Sequence, residues 1–581
     1  MTQNRTTKPR LRSAFLLAAF VLPACTGSIA GREGASSHNP ADDDAEGAGK
    51  GGAGQGGEAA DPPISPAPPT CAQDAGAPAA ARRLVRLRWP EYQAVVRQTF
   101  GIAAYRVSGS VPQDPFVEFY GNNANALRVP TYAAARVYLD EADEVLAAVR
   151  DWTVVLKAHG GCATVEDVCA KKALTPLAAS LFRRPLSQDE TAWVASRYDD
   201  FRQKVPAADA VRALAKLLLN HPSFLYRFEG VEVVSAKSEL SLGTWEAASA
   251  LSFTLTGAPP DQTLWSAAET GKLATVPEVR AQIRRLLGRV SQPSPMLGEF
   301  ANSWLVSEPV SEKSLGVDKR IIDPAVLPSL LQAELGRTFA NLVLESKASF
   351  IDLMTSPTTI STGQLSAAYK YPLQGEAWSL FDGSAHHRVG LLASPAFLAA
   401  RGAPSFGRLI YRGVFTLRRL FCFDPGDPVG IDVDQAVLDA KLPEGLSDRE
   451  QLERVTGAPA CQGCHAPINA IGAAMDAYDS AGRHNEVTGR AAPDTRVTLP
   501  MALLGGGVVN GLEELAQTIA RNDAAGACFS EHLGRYLAQG DLSEPQLCRV
   551  RAAFEGKGLN AVPVADLLET TLLVLLTTPR Q

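Results

Sequence analysis

One five-residue string limits what this chain can become more than any other: Cys461-Gln462-Gly463-Cys464-His465. In an exported protein, Cys-x-x-Cys-His reads as the covalent attachment site of a c-type haem. The spacing lets one short helical turn present both thiols to the haem vinyl groups, and His465, next in the chain, supplies the proximal nitrogen to the iron. With nine Cys and eight His in 581 residues, chance delivers such a string on the order of 0.002 times. Two other readings use the same residues. One is a Cys461–Cys464 dithiol or disulfide, the other a structural zinc site completed by a fourth ligand such as Cys422.

The haem reading needs an exported chain, and the N-terminus has the form of an export signal. Arg5, Lys8, Arg10 and Arg12 make a basic region, and Ser13 to Leu22 is an apolar run too short to span a bilayer as a helix. It ends in Leu22-Pro23-Ala24-Cys25, which resembles the lipobox of bacterial lipoproteins. That resemblance implies a signal peptide over 1–25 and a lipidated Cys25 as the first mature residue, so that the membrane is a partner through acyl chains. By analogy with the sorting rule of bacterial lipoproteins, Thr26 rather than Asp after that Cys implies the outer membrane, facing the periplasm or the cell surface. No later segment has the ~20 uninterrupted apolar residues of a membrane helix; the run Leu567–Leu576 is broken by Glu569, Thr570 and Thr571. The net charge is −6 and no Lys/Arg cluster stands out beyond the leader and short Arg pairs, so nucleic acid is not an expected partner.

Residues 26–81 are rich in Gly, Ala, Pro, Ser and Asp, lack large apolar residues, and read as a flexible tether. Beyond them, apolar residues recur at helical intervals. The pattern predicts helices from about Leu84 to Phe100, Tyr132 to Val155, Leu174 to Leu181, Ser187 onward, Asp209 to Leu219, Thr244 to Leu255, Pro277 to Leu287, Pro328 to Leu344, Arg412 to Phe421, Ala527 to Leu537 and Pro563 to Leu576. Ser447 with Glu450 forms a capping box, and Leu446 can act as its staple. Strand-like alternation is scarce, so the expected fold is all-α and multidomain. Its modules cover 82–158, 159–235, 236–380, 381–495 and 496–581, with the cytochrome c-like module at 381–495. His221 reads as a capping or core histidine, and the adjacent His386 and His387 would face opposite ways on a strand. Asp427, Asp432 and Asp434 do not have EF-hand spacing and read as a solvated linker.

If Cys25 carries lipid and Cys461 and Cys464 carry haem, six cysteines remain to pair in an oxidising compartment. Short separation favours Cys162 with Cys169 and Cys528 with Cys548, which leaves Cys71 and Cys422 by elimination among 15 connectivities. For the sixth ligand of the iron, Met501 follows Pro500 in an expected loop before the helix that Asn510 opens. This resembles the Met-bearing loop of small cytochromes c. Met475 is the alternative, although a core position suits it better; His484 and His532 are nitrogen candidates, and an open position is a further reading.

Several stretches together resemble one family, the planctomycete-type and myxobacterial multidomain cytochrome c-like proteins of unknown function. They are Arg83-Leu84-Val85-Arg86 with Glu91-Tyr92, Phe182-Arg183-Arg184-Pro185-Leu186, His221-Pro222-Ser223-Phe224-Leu225-Tyr226-Arg227 and Ala247 to Phe253. Further along come Arg388-Val389-Gly390-Leu391-Leu392, Arg412-Gly413, Cys422, the Cys-x-x-Cys-His string, Tyr478-Asp479-x-x-Gly482-Arg483, and Arg535-Tyr536-Leu537 with Cys548. Where the family has Ile-Asp-Pro-x-Gly-Phe, this chain has Ile468-Asn469-Ala470-Ile471-Gly472-Ala473. The resemblance implies a cell-envelope protein with haem c, serving electron transfer or carrying the haem of an oxidoreductase system whose redox partner is another protein. The other function class is a structural or polymer-binding envelope protein whose Cys-x-x-Cys is a disulfide. No Ser-His-Asp set, phosphate loop or paired-carboxylate signature stands out, so no catalytic residue is named and enzymatic activity is left open.

Overall fold

A computed structural model describes residues 82–109, 111, 132–161, 164–289, 295–307, 310, 315, 317–403, 407–426 and 442–579. The expectations for the leader, Cys25, the tether, Cys71, Cys162 and the 427–441 acidic segment fall outside these residues. The described chain is mostly helical, and its strands form three two-stranded antiparallel pairs. No described helix is long and apolar enough to cross a membrane.

Two apolar cores organise the molecule. The first joins the 82–158 and 159–235 segments: Tyr92, Val95 and Phe100 of helix Trp89–Phe100 pack with Leu174, Leu177 and Leu181 of helix Asp167–Phe182, and with Leu214 and Leu218 of helix Ala207–Leu219. Helix starts follow their local signals. Ser187 and Glu190 close a capping box, and His221 caps the turn Pro222–Leu225 through its Nδ1 at 3.1 Å from the Ser223 N–H. The helical periodicity read from Leu84 begins later than expected. Arg83–Arg86 is a strand, paired antiparallel with Tyr226–Glu229, and only then does helix Trp89–Phe100 start. The expected helix from Tyr132 to Val155 is two, Tyr132–Ala148 and Trp152–Gly160, because Asp151 caps a new start at the Thr153 N–H. Arg183, in a left-handed conformation, gathers this core's C-terminal turn by donating to the carbonyls of Leu181, Ser223, Phe224 and Tyr226.

The second core runs from Leu240 to Leu576. Helices Pro295–Leu305 and Leu327–Leu344 cross where Gly298 meets Gly336, and a Cβ on Gly336 would stand 2.9 Å from the Gly298 Cα. Trp304, Phe300, Phe350, Phe529 and Tyr536 form the aromatic centre, with Trp304 and Phe529 centroids 4.9 Å apart. Trp304 Nε1 donates to the Arg419 carbonyl at 3.0 Å, which draws helix Gly407–Leu420 onto this centre.

At the end of that helix the cysteine expectation is corrected. Cys422 is bonded to Cys528 of helix Asp523–Ala538, with Cα atoms 5.5 Å apart. Cys528 therefore does not pair with Cys548, and Cys422 is not left for Cys71. Sequence separation measures only the entropy of loop closure, whereas the directions of packed helices decide which thiols can meet. Cys528 is buried against helix Gly407–Leu420, its Sγ 3.7 Å from the Arg419 carbonyl. Cys548 lies on the next helix, Glu544–Ala552, and Cys548 and Cys169 are each disulfide-bonded.

Candidate functional site

The Cys-x-x-Cys-His string lies on helix Pro459–Ala473, with Pro459 in the first turn, where its missing N–H is no loss. The preceding helix, Asp448–Thr456, starts at the Ser447–Glu450 capping box as the sequence predicts. Thr456 anchors the string's helix twice: its carbonyl accepts from Gln462 Nε2 at 2.9 Å and its hydroxyl from Asn469 Nδ2 at 2.7 Å.

The C-terminal half of the string's helix is pressed onto helix Gly407–Leu420 with no room between backbones. A Cβ on Gly413 would fall 2.2 Å from the Ile468 carbonyl oxygen, and one on Gly472 would fall 2.1 Å from that of Leu409. Ile468 and Ile471 are buried there, whereas Gln462, Gly463, Cys464 and Ala466 are exposed and Cys461 and His465 are half-buried. One end is thus fixed in the core while the end bearing the thiols faces outward.

Three buried arginines hold the turn that follows. Arg412 donates to the carbonyls of Leu398 at 3.0 Å, Tyr478 at 2.8 Å, Met475 at 3.3 Å and Asp479. Burial, then the charge of Arg408, lowers its guanidinium to about 9. Arg408 pairs with both Asp448 and Asp476, tying the helix before the string to the turn after it. Arg388 reaches the Tyr371 hydroxyl and the carbonyls of Ala393 and Gly482. The Asp479 carboxylate accepts from the Ala481 and Arg483 N–H groups and from Arg483 Nε. The Arg388, Arg412-Gly413 and Tyr478-to-Arg483 motifs are therefore one interlocked clamp under the Cys-x-x-Cys-His helix.

Cys461 and Cys464 are free thiols, while Cys169, Cys422, Cys528 and Cys548 are all disulfide-bonded. With Cys422 committed to Cys528, the zinc reading loses the fourth ligand suggested for it. A haem c fits the donors present: two unpaired thiols on one outward turn, with the histidine adjacent. His465 Nδ1 is buried without a hydrogen-bond partner, and Asn469 Oδ1, one turn on, is in the same condition. A metal-binding imidazole usually has its second nitrogen held by an acceptor, and the Asn469 side-chain oxygen, four residues on along the same helix, is a polar group left unused there. In that arrangement Cys461 and Cys464 would hold the macrocycle and His465 the iron, and the group would supply one-electron redox chemistry.

Met501 opens the short helix Met501–Leu504 rather than lying in a loop, and its side chain is outside what is described. Met475 is wholly buried in the second core. His532 is buried beside the disulfide, its Nε2 3.8 Å from Cys422 Sγ. His484 caps Asn485–Thr488 and stacks on His387, and burial, then His387, hold its imidazole down at about 4. Among the described residues no hydrogen bond or ring contact joins His484 or His532 to His465. The pairing of His387 with His484 was not legible, since the two lie in separate segments and His386–His387 suggested only a strand.

The fold and the site define a class: a mostly helical, multidomain chain with a single Cys-x-x-Cys-His helix clamped at one end and open at the other. Three family models match it. PSD5, a protein of unknown function (DUF1595), matches residues 169–229; PSD4, a protein of unknown function (DUF1592), matches 242–370; PSCyt3, a protein of unknown function (DUF1588), matches 388–488. These are the planctomycete cytochrome c-like domains of unknown function, and the Cys-x-x-Cys-His helix lies within the third. No curated protein and no solved structure matches the chain.

Proposed function

We propose that this chain is a cell-envelope c-type cytochrome. It is anchored through a lipidated Cys25 in the outer membrane and carries one haem through Cys461 and Cys464, with His465 as the proximal ligand. Its work is electron transfer with a partner protein, either alone or as the haem-bearing part of an oxidoreductase system. The observation that supports this reading is the contrast among cysteines: in a chain whose other described cysteines are disulfide-bonded, the string's two thiols are free on one outward turn. The clamp serves that role by fixing the helix that carries His465, so that the ligand's position does not depend on the exposed turn alone.

The test is the absorption spectrum of the exported protein, made in a host competent for cytochrome c maturation. A Soret band that stays with the polypeptide on a denaturing gel is expected; colourless protein with a Cys461–Cys464 disulfide would favour the structural reading instead. Met501 is our assignment for the sixth ligand. The oxidised protein then shows the Met–iron band at about 695 nm, and Met501→Ala removes it. A band that survives this change excludes Met501.

A further inference from the structure

We propose that His387, His484 and Glu486 form a second metal site, for a divalent first-row transition ion of which Zn²⁺ is the reference case. One ligand atom from each residue lies within 4.8 Å of the other two. His387 Nε2 is 3.0 Å from Glu486 Oε2, and the two imidazoles lie 3.6 Å apart at 17°. Both histidines are half-buried and Glu486 is exposed, so an ion reaches them from solvent.

The backbone that carries these groups is held in place before any ion arrives. His387 is left-handed, with φ 57°, and its carbonyl accepts from the Tyr478 hydroxyl at 2.9 Å. Tyr478 also forms an antiparallel bridge with His484, so one buried tyrosine of the clamp holds the backbone of both histidines. An ion pair with Glu486 accounts for one histidine and not for two stacked face to face beside Arg388, where a second positive ring is disfavoured. Two imidazoles and a carboxylate are a donor set that zinc accepts, with a fourth position left for water. To bind one ion the stacked rings turn about their side-chain bonds. If His484 ligates through Nε2, its Nδ1 gives up the 3.4 Å contact with the Glu486 N–H, which is a weak bond. The bound ion would cross-link the His387 loop to the segment that follows the Cys-x-x-Cys-His helix.

The site is tested in untagged full-length protein carrying Cys461→Ser and Cys464→Ser, so that these thiols cannot take up metal. After chelator treatment, Zn²⁺ titration is expected to show a single equivalent bound, and Co²⁺ to give d–d bands without a thiolate charge-transfer band. His387→Asn and His484→Asn each weaken binding about tenfold or more. Asn tolerates the left-handed backbone at 387 and can cap the helix at 484, so the melting curve in chelator is unchanged. Should either melt early, Glu486→Gln decides, since its side chain is exposed and its loss is also expected to cost about tenfold in affinity. No bound Zn²⁺, or unchanged affinity in Glu486→Gln and in the double histidine variant, overturns the proposal.

Discussion

Helix Gly407–Leu420 lies against two cysteine pairs. At its C-terminal end Cys422 is closed onto Cys528, beside the Arg419 carbonyl that also accepts from Trp304. Along its flank, the helix bearing Cys461 and Cys464 crosses it and leaves both thiols free. Redox compartment alone cannot separate the pairs, because both belong to one chain. Geometry does. Cys422, just past the end of one helix, meets Cys528 on another, whereas Cys461 and Cys464 lie three apart on one helix, the first half-buried and the second exposed. The first pair staples the fold, and the second is left available for the haem attachment proposed above.

The sharpest way to break this comparison is Cys464→Ser. All stable covalent haem is expected to be lost on a haem-stained denaturing gel, while stability in chemical denaturation of the haem-free protein changes by no more than about 0.5 kcal/mol, as for a surface substitution. Full staining would remove the string from the attachment role.

Removing the other pair should do the reverse. Cys422→Ser with Cys528→Ser opens a loop with a sequence separation of 106 and is expected to lower unfolding stability by about 4–5 kcal/mol, with haem attachment retained. Denaturant midpoints and haem staining on the same samples check both halves.

A smaller effect is expected at the crossing that links the two regions. Gly413→Ala puts a Cβ 2.2 Å from the Ile468 carbonyl, which must be relieved by separating the helices, at about 1–3 kcal/mol. The loss should appear in the denaturant midpoint. An unchanged midpoint would mean that the close approach is not needed.

The smallest is the stapled region's share of a pH dependence to which the lowered His159, His221 and His484 also contribute. His532 is buried beside Cys422, and burial, then the charges of Arg419 and Arg535, hold its imidazole well below 6.5. The unfolded chain therefore binds a proton there that the folded chain refuses, so the contribution is complete above about 6.5 and is lost as pH falls below it. Stability of the haem-free protein should fall between pH 7.5 and 5, and His532→Gln should flatten that slope.

Local signals in the sequence were enough for many of the helices and for several of their starts, though not for those at Trp89 and Trp152. Ser187, Ser447 and His221 cap where their side chains and spacing indicate. The string also lies on a helix, as its spacing requires. What failed was long-range. The Arg83–Arg86 strand has its partner at Tyr226–Glu229, and four residues are too few to display alternation. Cys422 found Cys528 because two helices pack, and His387 met His484 because Tyr478 holds both segments. The clamp was visible as motifs but not as geometry, since nothing in Arg412-Gly413 says that its side chain will be spent on four carbonyls.

The central claim, that the two cysteine pairs have opposite fates, is tested most directly by mass mapping of the exported protein digested without reduction. The account predicts that the peptide containing Cys461 and Cys464 carries haem through both sulfurs, while the Cys422 and Cys528 peptides elute joined by a disulfide. A haem-free peptide with Cys461 and Cys464 bonded to each other would contradict it.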